Sequence, residues 1–61
     1  MNNLNQKQVS EVAAVIESNA IYWSRPVSSV DLTDRYVTLH HADGRTTKYR
    51  WDENNNLRLF S

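Results

Sequence analysis

The chain of 61 residues has no cysteine, one glycine, one proline, no net charge and no long apolar run. Without cysteine there is no disulfide framework and no thiolate metal site, the two staples most used by domains of this size. The same absence fits a reducing compartment, so the expected location is cytoplasmic. The stretch MNNLNQKQ carries one cation and no apolar segment, which argues against a secretory signal, and no segment has the length and hydropathy to span a bilayer. Export and membrane association are not expected.

A single glycine cannot build a phosphate-cradling loop. The serines at 10, 18, 24, 28, 29 and 61 stand in no nucleophile-elbow or triad context. So short a chain also has little room for a water-excluding pocket with supporting residues behind it. The expectation is a protein that is not an enzyme and uses no cofactor. Seven basic residues balance seven acidic ones, so net charge supplies no long-range pull toward a nucleic-acid backbone or an anionic membrane. The balance is uneven along the chain. Residues 1–34 hold two cations against four acids, and residues 35–61 hold five cations against three.

What is present is mostly secondary-structure signal. RYVTLHHADGRTTKYRW, from Arg35 to Trp51, reads as a β-hairpin. With Ala42-Asp43-Gly44 as a three-residue loop and Gly44 in the left-handed bulge position, Val37 pairs with Tyr49, Leu39 pairs with Thr47, and Arg35 faces Trp51. A two-residue Asp-Gly turn would set Leu39 against Lys48 and Val37 against Arg50, mixing apolar and charged residues on both faces. The three-residue loop is therefore preferred.

Upstream, Asn5 and Gln8 form an Asn-x-x-Gln capping box, and Leu4 is spaced to staple onto Val9. Val9, Val12, Ala13, Ile16 and Ala20 follow one helical face, widened by Val15, and Asn19 is a stop signal. These features predict a helix over residues 5–18. Strands are expected at 21–24, 28–32, 35–41, 45–51 and 57–60, with Pro26 ending or bending the first. A turn at Thr33-Asp34 would set Val30 against Val37, and the polar loop after Trp51 would set Trp51 against Leu57 and Tyr49 against Leu59. The fold class is α+β: a single small domain over 1–61, with one N-terminal helix packed on an antiparallel meander of three to five strands, in two layers.

In this arrangement the sheet face away from the helix carries Tyr36, Thr38, His40, Thr46, Lys48, Arg50, Arg58 and Phe60. Cations and aromatics interleave there, and Arg50 and Arg58 would be like-charged cross-strand neighbours unless an acidic group neutralises them. Tyr36, His40, Lys48, Arg50, Arg58 and Phe60 are the candidate partner-binding residues. His40 and His41 are adjacent in a strand, point to opposite faces and cannot chelate one ion, so no metal is expected. Tyr22 and Trp23 alternate faces in the expected first strand, one buried and one exposed, and are candidates for an edge or dimer contact.

The leading expectation is a small non-enzymatic protein-binding module, a modulator or adaptor docking through its exposed sheet face or an edge strand. The alternatives are a nucleic-acid-binding protein that stacks bases on the aromatic and basic face, and a self-associating structural protein. Self-association would relieve the marginal stability of a domain that buries only about 60% of its unfolded surface. A homodimer is expected, with a sedimentation coefficient that rises with concentration; a monomer value independent of concentration would refute it.

Overall fold

The computed structural model describes residues 4–60. Its centre is the loop at Ala42–Gly44, where Gly44 takes φ of 90°, a backbone conformation that costs a glycine nothing. The His41 N–H donates to the Arg45 carbonyl at 2.8 Å, and the Gly44 N–H donates to the His41 carbonyl at 3.0 Å. This loop joins β2 (Tyr36–His41) to β3 (Thr46–Trp51) and sets the expected register, Val37 opposite Tyr49 and Leu39 opposite Thr47.

The other elements are α1 (Gln6–Ile21), β1 (Val27–Leu32) and β4 (Leu57–Leu59). The four strands form one antiparallel sheet in chain order, β1-β2-β3-β4. On the far side Tyr49 faces Leu59 and Trp51 faces Leu57, as the sequence predicts. The helix lies across one face and touches the flanking strands, β1 and β4. The fold is thus a two-layer α+β meander.

Three expectations need correction. β1 is offset by two residues: Leu32, not Val30, stands opposite Val37, and Val30 stands opposite Leu39. The cause is the connection, where the Thr33 N–H donates to the Tyr36 carbonyl at 2.9 Å and the Tyr36 N–H donates to the Thr33 hydroxyl at 3.1 Å. An even offset keeps every side chain on its face. A bulge at Ser28, whose hydroxyl donates to the His40 carbonyl at 3.0 Å, irregularly starts this strand.

Second, residues 21–24 form no strand. The helix continues through Ile21, the chain turns at Tyr22 and Trp23, and Ser24 takes the left-handed φ of 52°. Asn19 does not stop the helix because its side chain has better work inside it. Nδ2 donates to the Val15 carbonyl at 2.8 Å and to the Tyr49 hydroxyl at 3.0 Å, joining helix to sheet at a residue only 2% exposed.

Third, the helix is rotated by roughly a quarter turn from the face counted on apolar residues alone. Val9, Ala13 and Ala20 are exposed, while Gln8, Glu11, Val12, Val15, Ile16 and Asn19 are wholly or partly covered. Polar tethers account for it. Gln8 Nε2 donates to Asn55 Oδ1 at 3.3 Å, the Leu57 N–H donates to Glu11 Oε1 at 3.1 Å, and Lys7 Nζ donates to Asn56 Oδ1 at 2.7 Å. The capping box forms as expected, with Asn5 and Gln8 exchanging bonds of 2.8 and 3.0 Å.

Val37 and Leu39 are the fully buried apolar side chains, both on β2. The same face continues into His41 and Thr47, also buried. His41 Nδ1 lies 3.2 Å from the Arg25 carbonyl and 3.3 Å from that of Pro26. Carbonyls only accept, so Nδ1 carries the proton and donates to them. Nε2 shares a hydrogen bond of 2.7 Å with the Thr47 hydroxyl.

Asn19→Ala should lower stability by about 1–2 kcal/mol, because it removes the buried side-chain bond that joins the helix to the Tyr49 hydroxyl. Urea denaturation would show a lower midpoint with an unchanged slope; an unchanged midpoint would remove Asn19 as the tether of helix to sheet.

Candidate functional site

Two surfaces carry chemistry. The first is the sheet face away from the helix, assembled by the alternation along β2, β3 and β4. The register puts Tyr36, Arg50 and Arg58 in one row across the sheet and Thr38 beside Lys48 in the next, where the Phe60 N–H donates to the Lys48 carbonyl at 2.8 Å. Tyr36 on β2 and Phe60 just past the end of β4 lie on either side of β3, yet their ring centroids are 5.2 Å apart with planes inclined at 60°. The two rings meet over β3, in the tilted geometry that aromatic quadrupoles favour. Lys48 Nζ stands 5.7 Å from the Tyr36 ring centre, within cation–π range.

The charges on this face are partly matched. Arg58 Nε donates to Asp52 Oδ2 at 3.1 Å, which relieves the like-charge contact with Arg50. His40 Nε2 lies 2.7 Å from Asp31 Oδ2 on the neighbouring strand. Lys48 and Arg50 have no carboxylate within 4.0 Å among the described residues. Beside Arg50 a shallow cavity of about 440 Å³ is lined by both signs of charge, from Arg50, Arg58, Asp52 and Glu53. The six candidate partner-binding residues thus fall on one face, with His40 tied to the β1 side and the others grouped over β3.

The second surface lies at the end of the helix. A cavity of about 350 Å³ opens between Trp23 and Arg25 on one side and Thr46, Tyr49 and Leu59 on the other, with Asn19 and Thr47 completing its wall. Sequence reasoning singled out Trp23 here and missed the rest. Tyr22 and Trp23 are both exposed, at 83% and 65%, rather than one in and one out. They lie in a turn after a helix, so the strand alternation does not apply. Leu59 belongs to the helix-side face but is 69% exposed, since no element of the described residues lies over that corner.

His40 and His41 project to opposite faces, the former toward Asp31 and the latter into the interior. Among the described residues no helix is long and apolar enough to cross a membrane.

The titration of Asp52 is displaced downward. The Asn56 N–H, donating to Oδ1 at 2.9 Å, is the main cause; Arg58 and the Asn54 N–H at 2.8 Å act in the same sense. Together they hold the carboxyl below the usual aspartate range, against a smaller opposing effect of burial. A depressed folded value stabilises the fold above the unfolded value of about 4, and that contribution is lost as pH falls through the folded value. Asp52→Asn should therefore be less stable than the parent at neutral pH, with a gap that closes below about pH 4. Urea midpoints measured across that range would check it, and a gap that stayed constant in acid would overturn it. No known family, no curated protein and no solved structure matches the chain at a significant level.

Proposed function

We propose that the chain is a non-enzymatic protein-binding module that docks on another protein through the outer face of its sheet. The observation that carries the reading is the Tyr36–Phe60 pair over β3, flanked by Lys48 and by an Arg50 with no acidic partner among the described residues. Aromatic and arginine side chains of this kind are the usual anchors of protein interfaces.

A nucleic-acid strand fits the same face less well, for two reasons. The rings tilt against one another and Lys48 lies over Tyr36, so they do not stand as parallel platforms for bases. Arg58 and His40 already face carboxylates, which leaves Lys48 and Arg50 as the uncommitted cations of this face. Two phosphate contacts release few counterions, a single-strand salt slope of only about −1.4, so the electrostatic part of nucleic-acid affinity is small here.

The test is affinity capture from a host lysate with and without nuclease, followed by repetition with Tyr36→Ala/Phe60→Ala. A nuclease-resistant protein should be captured by the parent chain. It should bind the double variant tenfold or more weakly, about the cost of removing interface anchors, while circular dichroism shows the fold retained. Equal binding by the variant would sink the outer-face reading, and capture that nuclease abolishes would replace it with nucleic-acid binding.

A further inference from the structure

Strand β1 stands at an open edge of the sheet. The Thr33 N–H donates to the Tyr36 carbonyl on the β2 side, so by alternation the backbone groups of Ser29 and Asp31 also point to β2. Those of Val30 and Leu32 point outward, as do those of Ser28, which the bulge leaves out of the register with β2. Among the described residues no strand pairs with them. On the β4 edge, by contrast, the Leu57 N–H is taken by the Glu11 carboxylate.

Apolar helix surface borders this edge. Lys7 and Glu11 bond Asn56 and Leu57, which fixes one flank of α1 over the β4 side. Val9, Ala13 and Ala20 stand about half a turn round the helix from them, hence on the flank turned to β1. Val9 is 52% exposed, Ala13 and Ala20 are exposed, and Ile16 between them is half-buried. No charged side chain interrupts this strip. The helical spacing of the sequence thus writes a stripe that the described residues leave partly bare.

We propose that a second copy of this chain covers the edge, its β1 pairing antiparallel with this β1 about a two-fold axis normal to the sheet. Pairing through the outward groups sets even-numbered residues opposite one another. With Val30 opposite the partner's Val30, both valines lie on the helix side and Leu32 meets the partner's Ser28. On the outer side Asp31 then meets the partner's Ser29, whose hydroxyl donates to the carboxylate oxygen that His40 does not use. A shift of two residues one way would set Asp31 against the partner's Asp31. The same shift the other way would set Leu32 against the partner's Pro26, which has no N–H to give. The edge is therefore complementary to itself, in charge and in donors, at one register. The partner's Val30 and Leu32 rise beside the Val9–Ala20 flank, so the added strand covers the stripe as well as the ladder. Both outer faces point the same way in such a dimer, which presents the Tyr36–Phe60 surface twice.

Sedimentation equilibrium of the purified full chain, read together with amide hydrogen exchange, tests this. The mass should rise to twice the monomer value with concentration, and the Val30 and Leu32 amides should exchange more slowly in the dimer. Ser29→Asp sets a like charge against the partner's Asp31 and should raise the dimer dissociation constant about fivefold or more. Ser29→Lys sets an opposite charge there and should lower it. Val30→Pro removes an N–H that β2 does not use and should abolish the dimer. If that variant fails to fold, the two substitutions at the exposed Ser29 decide. A monomer at every concentration would overturn the inference. So would a dimer with unchanged exchange at Val30 and Leu32, or one equally stable in both Ser29 variants. None of these readings involves a different protein, so the inference stands or falls apart from docking on the outer face.

Discussion

The scarcity of buried apolar surface governs this molecule. Among the described residues only Val37 and Leu39 are wholly enclosed hydrophobic side chains, so hydrophobic burial alone cannot fix where the helix sits. Directional bonds take over that task. Asn19 ties the helix to Tyr49, Glu11 receives the Leu57 N–H, and Gln8 and Lys7 bond the asparagines of the loop before β4. His41 and Thr47 extend the interior with a polar pair in which each side chain finds a partner. Polar groups buried with partners cost little and impose geometry, which is what a thin core needs.

The same dependence explains which features the sequence reveals. The central hairpin is legible because its information is local: an Asp-Gly pair, the alternation of β-branched and aromatic residues, and one admissible turn for that pattern. The capping box at Asn5 and Gln8 is legible for the same reason. The helix face is not, because a count of apolar positions cannot see that Gln8, Glu11 and Asn19 have partners elsewhere in the chain. Asn19 in particular reads as a terminator by local preference and becomes an interior tether in context. Residues 21–24 look like a strand from their aromatic and β-branched composition, yet a helix anchored by Asn19 runs straight into them. Of the candidate site, the grouping of Tyr36, Lys48, Arg50, Arg58 and Phe60 follows from the register alone. The groove at Trp23 depends on where the helix ends and was invisible without it.

Charge is distributed to be used locally. Asp52 serves the loop before β4 by accepting from Asn54 and Asn56 and serves the outer face by holding Arg58. Asp31 does similar double duty, facing His40 while placing a charge on the edge of β1. What looks in the sequence like a crowded basic face is reduced by these pairings to an aromatic pair and a small number of uncommitted cations.

The strand order of the sheet is the order of the chain, and that has a kinetic meaning. Each strand meets its partner across a short connection, at residues 33–35, 42–45 and 52–56. The bonds that seat the helix span 30 residues from Asn19 to Tyr49 and 46 from Glu11 to Leu57. Closing a long loop costs more entropy than closing a short one, so the hairpins form first and the helix docks on a sheet already assembled. The groove beside Trp23 is then the last part of the molecule to acquire its shape and the first to lose it when the helix lets go.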